Sequence, residues 1–411
     1  MIINDRRKTI DVVELFAGVG GFRLGLERAS KSFKTVYANQ WEPNKNKQHA
    51  YDCYVSHYGE NSSYTNVDIS LIKGDIPSHD LLVGGFPCQD YSVAHGNSAK
   101  GIEGKKGVLW WDIKDIISTK KPTMVLLENV DRLIRSPYKQ KGRDFGIILR
   151  SLFDEGYNVE WRVINAADYG HVQRRRRVFI FAFKNEITTN MFSFIEEHDF
   201  LLSNGFFSDI FPIEYSNKSN KPNKIIDLSK YIDLVDLSDN LNTQFYNSGV
   251  MINGKVFTAD MRAISTEEKK TLGDILQKEA MESKFFIGDS INKFRKLKGS
   301  KKIPRFKPNG ESYFYSEGSL IIPDPSNKPA RTILTSESNV SRTTHVVVDP
   351  LTGFNRLLTP IECERLNGFD DNWTNTGMPE KYRYFCMGNA LVVPLVETMG
   401  LKIKRIWEGF K

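Results

Sequence analysis

Glu14-Leu15-Phe16-Ala17-Gly18-Val19-Gly20-Gly21-Phe22 follows an apolar run, Thr9–Phe16, and opens an amphipathic one, Phe22–Ala29. The first run reads as a buried strand and the second as a helix, so the glycines stand at a strand-to-helix turn. Glycine there lets the backbone turn tightly and approach a ligand closely. The turn is not a dinucleotide fingerprint: after Gly18 and Gly20 the third glycine position falls on Arg23.

Outward from this turn, Thr35–Asn39, Leu81–Val83, Thr123–Leu127, Val159–Asn165 and Arg177–Phe183 read as further strands. Helical stretches such as Trp110–Ser118 and Phe145–Glu155 lie between them. Strands alternating with helices predict an α/β fold, a mostly parallel sheet covered on both faces. Such sheets bind ligands beyond the carboxyl ends of their strands, so the residues closing each strand are the candidates for chemistry.

The second strand closes with Asn39-Gln40-Trp41-Glu42, about twenty residues past the glycines, where a ribose is held in folds of this kind. Trp41 is either an apolar platform for adenine or a core aromatic. Asp68 is either a turn residue or an acceptor for an adenine amino group. Gly84-Gly85-Phe86-Pro87-Cys88-Gln89 closes the third strand, and the rigid proline presents Cys88 rather than burying it. A lone cysteine is elsewhere an inert apolar residue, but the sequence on to Lys106 is polar and Gly-rich, as in a loop that closes over a substrate. Glu128-Asn129-Val130 closes the fourth strand and sets a carboxylate at the same sheet edge, costly to bury without a partner. Gln173-Arg174-Arg175-Arg176-Arg177 leads into the strand Val178–Phe183. Alternate residues of an extended chain share a face, which sends Gln173, Arg175 and Arg177 toward a substrate's carbonyl and phosphates; the plain alternative is a surface patch.

The chain has 411 residues, enough for two packed lobes at roughly 100–200 residues per domain. A net charge of +7 is compatible with a polyanionic partner without being diagnostic of one. No stretch approaches the ~20 apolar residues needed to cross a bilayer, and no signal-peptide core is visible, so a cytoplasmic protein is expected. Cys53, Cys88, Cys363 and Cys386 form no CxxC pair, which argues against a zinc site or a disulfide framework.

From about Asn185 to Asn327 the periodicity dissolves. Val250–Thr258 carries Asn253-Gly254 between apolar runs, a hairpin signal, and Ser265–Lys278 reads as a helix. Lys293–Lys307 holds eight Lys/Arg in fifteen positions, with Phe294 and Phe306 among them; it is a solvated face or a phosphate-contacting surface. After Ala330 the pattern recovers: Thr332–Thr335 is strand-like, Thr359–Leu366 is a helix with a Thr359/Glu362 capping box, and Leu391–Glu397 is an apolar run broken by Pro394. The expected organisation is a catalytic domain over 1–185, a smaller irregular domain over 186–328, and a segment 329–411 returning to complete the first.

Together these residues resemble the DNA (cytosine-5) methyltransferases of prokaryotic restriction-modification type, along almost the whole chain. ELFAGVGGFRLGLE resembles the AdoMet loop and NQW the ribose and adenine motif. GGFPCQDYS resembles the nucleophile motif, ENV the motif of the catalytic Glu, and QRRRRVF the Gln-x-Arg-x-Arg motif. Pro329-Ala330-Arg331-Thr332 resembles the support of the recognition region. Arg356–Pro360, Glu364–Phe369 and Gly388-Asn389-Ala390 resemble the closing motif. The resemblance implies a Rossmann-like AdoMet-dependent methyltransferase domain with a target-recognition domain. It implies that Cys88 adds to C6 of a cytosine flipped from duplex DNA, that Glu128 bonds N3 and the exocyclic amine, and that Arg177 and Arg175 hold O2 and the loop. It sets Phe16, Ala17, Gly18, Gly20, Gly21, Gln40, Trp41, Asp68 and Asn389 on S-adenosyl-L-methionine (AdoMet) positions. It implies no metal and no membrane, a monomer, and pairing with a restriction endonuclease. Three departures stand out: Gln40 where the family has Glu, Lys105-Lys106-Gly107 where Arg precedes Gly, and Glu14 where Asp is common. A tRNA-modifying relative is disfavoured by the long 186–328 segment, a catalytically dead DNA-binding protein by the intact Cys88, Glu128, Arg175 and Arg177, and an adenine amino-methyltransferase by the lack of a DPPY-like motif.

Overall fold

β-branched and other apolar residues make Ile10–Leu15 (β1) and Phe33–Asn39 (β2) strands that pair in parallel, Ile10 opposite Phe33 and Leu15 opposite Asn39. The computed structural model describes residues 9–86, 109–184, 199–216, 222–306 and 310–409. They fall into two compact units. The first comprises Met1–Asp168, Arg176–Ser265 and Val393–Lys411; the second comprises Tyr169–Arg175 and Thr266–Val392.

The first unit is built on one sheet. Besides β1 and β2 it contains β3 (Tyr64–Thr65), β4 (Leu81–Gly85), β5 (Met124–Val130), β6 (Tyr157–Asn165), β7 (Arg176–Lys184), β8 (Lys224–Asp227), β9 (Ser248–Ile252) and β10 (Lys255–Ala259). Their order is β8-β10-β9-β6-β7-β5-β4-β1-β2-β3. From β3 to β5 every pair is parallel; from β5 to β8 every pair is antiparallel. The chain runs from β1 outward to β3 and then returns to β4 on the other side of β1. That reversal is the switch point at which open α/β sheets bind ligands. Its helices include α1 (Gly21–Ala29), α2 (His49–Tyr58), α3 (Leu109–Lys120) and α4 (Arg143–Asp154). Leu81, Leu82 and Val83 are all buried, as expected of a strand covered on both faces. On one face Val13, Leu15, Val125, Leu127 and Ile180 join Trp110, Ile113 and Ile147 in a single apolar cluster.

The C-terminal helix Val393–Gly409 packs on α1. A Cβ on Gly25 would lie 2.7 Å from Cβ of Val396, and one on Gly400 2.8 Å from that of Ala29, so glycine sets how closely the two helices approach. Pro394 does not break the apolar run as expected. It sits in the first turn of this helix, where a backbone N–H has no intrahelical acceptor to lose.

The irregular region beyond residue 185 is more ordered than its composition predicts. β9 and β10 form the hairpin expected from Asn253-Gly254, whose φ angles are +48° and +79°, and β9 extends the sheet by pairing with β6. The helix expected over Ser265–Lys278 is absent; only a short turn, Leu272–Ile275, forms there. Residues 265–270 are all exposed, so they offer no buried stripe to hold a helix against.

The second unit contains α5 (Ile291–Lys298), β11 (Lys301–Phe306), β12 (Ser312–Glu317), β13 (Val346–Val348), β14 (Asn355–Leu357), α6 (Pro360–Asn367) and α7 (Glu380–Asn389). The strand expected over Thr332–Thr335 does not form; the strand lies just before it at Ala330–Arg331, which pairs with Gln173–Arg174. The capping box of α6 forms as read: Glu362 N donates to Thr359 Oγ1 and Thr359 N to Glu362 Oε2. Arg356, fully buried, bonds both Asp349 and Glu362 at 2.7 Å and ties β14 to α6. Among the described residues no single helix is long and apolar enough to cross a membrane.

Candidate active site

The carboxyl end of β1 passes into α1 through backbone that few side chains tolerate. Phe16, Gly18 and Gly20 have φ of +54°, +57° and +86°. A Cβ on Gly20 would lie 2.8 Å from a ring carbon of Tyr58, so both the dihedral and the space require glycine there. Ala17 N donates to Asn39 O at 3.0 Å, which ties the turn to the end of β2. Gly21 begins α1, whose N-cap, Gly20, has no side chain to cap it and whose first turn carries no acid. Its backbone N–H groups and dipole favour an anionic group such as a carboxylate.

Gln40 joins this turn directly. Its Oε1 accepts from Gly18 N at 2.7 Å, which uses the amide oxygen to shape the loop and leaves the amide nitrogen as the donor for a hydroxyl. Trp41 beside it is 37% exposed, a ring face open to a planar partner rather than a core aromatic. Asp68 caps the short helix Ile69–Ile72, its Oδ1 accepting from Ser70 N and Ser70 Oγ at 3.0 and 2.9 Å. Asn39, not singled out by sequence, fixes the distance between these groups: its buried Nδ2 donates to Thr65 Oγ1 and Val67 O. Asn389 belongs to the second unit and is exposed at the end of α7.

Beneath the glycine turn lies a polar cluster that sequence reasoning also missed. Glu14 has no exposed surface; Tyr54 Oη donates to its Oε2 at 3.2 Å and Arg23 N to its Oε1 at 3.3 Å. Desolvation raises its pKa to about 7. Arg23 lies 3.8 Å over the ring of Tyr58 and pairs with Glu27 at 2.7 Å. Tyr58 Oη donates to Gly20 O at 3.4 Å. The visible signal was the Tyr54/Tyr58 pair, four residues apart on one face of α2.

The ends of β4 and β5 form the second pole. Gly85 is in register with Glu128. Asn129 Nδ2 donates to Phe86 O at 2.8 Å, fixing the backbone two residues before Cys88. Cys88 itself, and Lys105 and Lys106, lie outside the described residues. Arg177 Nε meets Glu128 Oε1 at 2.8 Å, and both side chains are mostly but not wholly buried. β5 and β7 run antiparallel with Val130 opposite Arg177, which brings the two side chains together.

The other members of the arginine run have different partners. Arg175 is buried in the second unit, where its Nη1 donates to Ile333 O and its Nη2 to Gly388 O. Gln173, also buried, donates to Leu366 O and to Asn367 Oδ1 and accepts from Ile333 N. Gln173 and Arg175 bond groups of the second unit, and Arg177, in the first, meets Glu128. Arg174 and Arg176 are exposed.

A parallel sheet reversing at β1/β4, a glycine turn into α1 and acceptor-bearing ends on β2 define an AdoMet-dependent methyltransferase fold. Residues 10–405 match the family described as C-5 cytosine-specific DNA methylase. The chain is 51% identical to the Type II methyltransferase M.Sau3AI of Staphylococcus aureus over 408 residues, 97% of this chain and 96% of that one. It is 28% identical to the Type II methyltransferase M.Bsp6I of Bacillus sp. (strain RFL6) over 96% of this chain and 98% of that one. The crystal structure of S. pombe Dnmt2 methyltransferase shares the fold, with a TM-score of 0.58 at 17% identity, covering 97% of this chain and 98% of that one. The chain belongs to the C-5 cytosine-specific DNA methylase family.

Proposed function

We propose that this protein is the modification methyltransferase of a type II restriction-modification system, acting in the cytoplasm on one cytosine of a specific duplex DNA sequence. The observation that carries the reading is the Glu128–Arg177 pair at the strand end beside Gly85-Phe86, the backbone that leads to Cys88. The Glu128 carboxyl, in its protonated form, donates to N3 of a flipped cytosine and accepts from its exocyclic amine. Arg177 holds Glu128 from the side and offers its remaining N–H groups to O2. The Cys88 thiolate adds to C6, the C5–C6 electron pair moves toward N3, and N3 takes the proton from Glu128. C5 becomes nucleophilic. Bound AdoMet supplies the methyl group that C5 takes up. A base then removes the C5 proton, the C5–C6 double bond re-forms, the thiolate leaves, and N3 returns its proton to the Glu128 carboxylate.

The cofactor's proposed holders are consistent with its chemistry. The α1 N-terminus and the Phe16–Gly21 turn suit the methionine carboxylate, the Gln40 amide suits the ribose hydroxyls, and Trp41 and Asp68 suit the adenine ring and its amino group. Asn389 is proposed from the resemblance. Arg175 is a positioning residue, holding the Ile333 and Gly388 segments. The recognition region is proposed to lie within 186–328.

Bisulfite sequencing of DNA from cells producing the protein, beside the Cys88→Ala variant, tests the reading. The expected result is one methylated sequence, lost in the variant. Methylated tRNA with unmethylated DNA would overturn it. A duplex carrying 5-fluorocytosine at the target should trap a covalent complex through Cys88.

A further inference from the structure

β11 and β12 form an antiparallel ribbon with Lys301 opposite Glu317 and Phe306 opposite Ser312. Residues 302–306 and 312–316 are all exposed, Phe306 to 74% and Phe314 to 69%. A two-stranded ribbon is marginal on its own in water, and aromatic surface of this kind marks an interaction site. Strand alternation puts Lys301, Ile303 and Arg305 on one face with Tyr313, Tyr315 and Glu317. On that face the Arg305 guanidinium sits 4.2 Å from the centroid of the Tyr315 ring, its diagonal neighbour across the strands. Stacking holds the fork extended with its donors available.

Charge indicates the partner. From Lys293 to Gly310 the sequence carries eight Lys/Arg and no Asp or Glu. Lys293, Arg295 and Lys296 are exposed on α5, directly before the ribbon. The ribbon's acids are Glu311 and Glu317, and Glu317 is paired with Arg342 at 3.1 Å. Polyanion complementarity favours nucleic acid over a protein surface. The major groove of duplex DNA admits a two-stranded β-ribbon.

We propose that the ribbon of Lys301–Phe306 and Ser312–Glu317 enters the major groove of the DNA duplex and that Arg305, stacked on Tyr315, reads a base edge there. Lys293, Arg295 and Lys296 contact the flanking phosphates. The proposal rests on the cytosine-methylase reading above.

The test uses the full chain. Arg305→Ala removes no buried contact, so AdoMet affinity and thermal stability should hold. Its kcat/KM on the preferred site should fall roughly 10–100-fold, with methylation spreading to sites that differ at one base pair. Arg305→Lys keeps the charge but not the fork and should lose the same discrimination. Lys293→Ala with Lys296→Ala should weaken binding alike on all sequences and lower the slope of log affinity against log salt by roughly 2. An unchanged rate and site spectrum in Arg305→Ala would overturn the proposal. So would a change in oligomeric state by light scattering, which would make the ribbon a protein interface. A parent protein that marks no cytosine in DNA would instead remove the underlying reading, and the wild-type control separates the two.

Discussion

Glu14 closes β1 without exposed surface and with two donors, Tyr54 Oη–H and Arg23 N–H. Burial raises its pKa from 4.5 to about 7. Glu14→Gln keeps the shape and removes the titrating proton. Between those two pH values the unfolded chain releases this proton while the folded chain retains it, so the folded state binds more protons. Stability therefore falls as pH rises through this window. At about 1.4 kcal/mol per pKa unit, the loss comes to ~3 kcal/mol, complete above pH 7. The glutamine carries no such proton. Its stability relative to wild type should therefore rise by ~3 kcal/mol between pH 4.5 and 8. The mismatch of a glutamine amide facing a donor is a constant offset and does not enter the slope. Glu160, buried and also at about 7, titrates in both proteins and cancels. Urea unfolding of both proteins at pH 5, 6, 7 and 8, followed by fluorescence and circular dichroism, measures the difference. A difference that stays flat with pH would refute the reasoning.

Arg177→Ala removes the guanidinium 2.8 Å from Glu128; single-turnover methylation should slow about 100- to 1,000-fold with AdoMet affinity unchanged, and an undiminished rate would sink the pairing as a functional one. Gly20→Ala forces a side chain onto a φ of +86° and against Tyr58; a stability loss of about 1–3 kcal/mol and weaker AdoMet binding should appear together by thermal unfolding and calorimetry. Gln40→Glu replaces a neutral acceptor of Gly18 N–H with a charged one that also bonds ribose hydroxyls more strongly; AdoMet should bind roughly fivefold tighter by titration calorimetry, and weaker binding would count against Gln40 as a ribose holder.

The parallel half of the sheet was legible because its strands are continuous apolar runs ended by glycine or polar residues, and its helices carry a regular stripe. The α6 capping box was legible for the same reason: local chemistry decides it. Contacts between residues far apart in sequence were not legible. Alternation along Gln173–Arg177 correctly predicts extended chain, but it cannot say that Arg175 finds the carbonyls of Ile333 and Gly388, about 160 and 210 residues away. Glu14 read as a minor departure because nothing in the sequence places Tyr54 and Arg23 on it. The helix expected over Ser265–Lys278 failed for want of a buried face, and Pro394 misled because a proline that ends one helix also begins another.

The packing of Val393–Gly409 on α1 imposes an order on biosynthesis. The α1 face bearing Gly25 and Ala29 is synthesised roughly 360 residues before its partner helix. At about 5–20 residues per second, that face waits on the order of tens of seconds for its cover. The nascent chain cannot complete its first unit until Val393–Gly409 has been made, so a product terminated before that helix would leave α1 uncovered and open to chaperones and proteases.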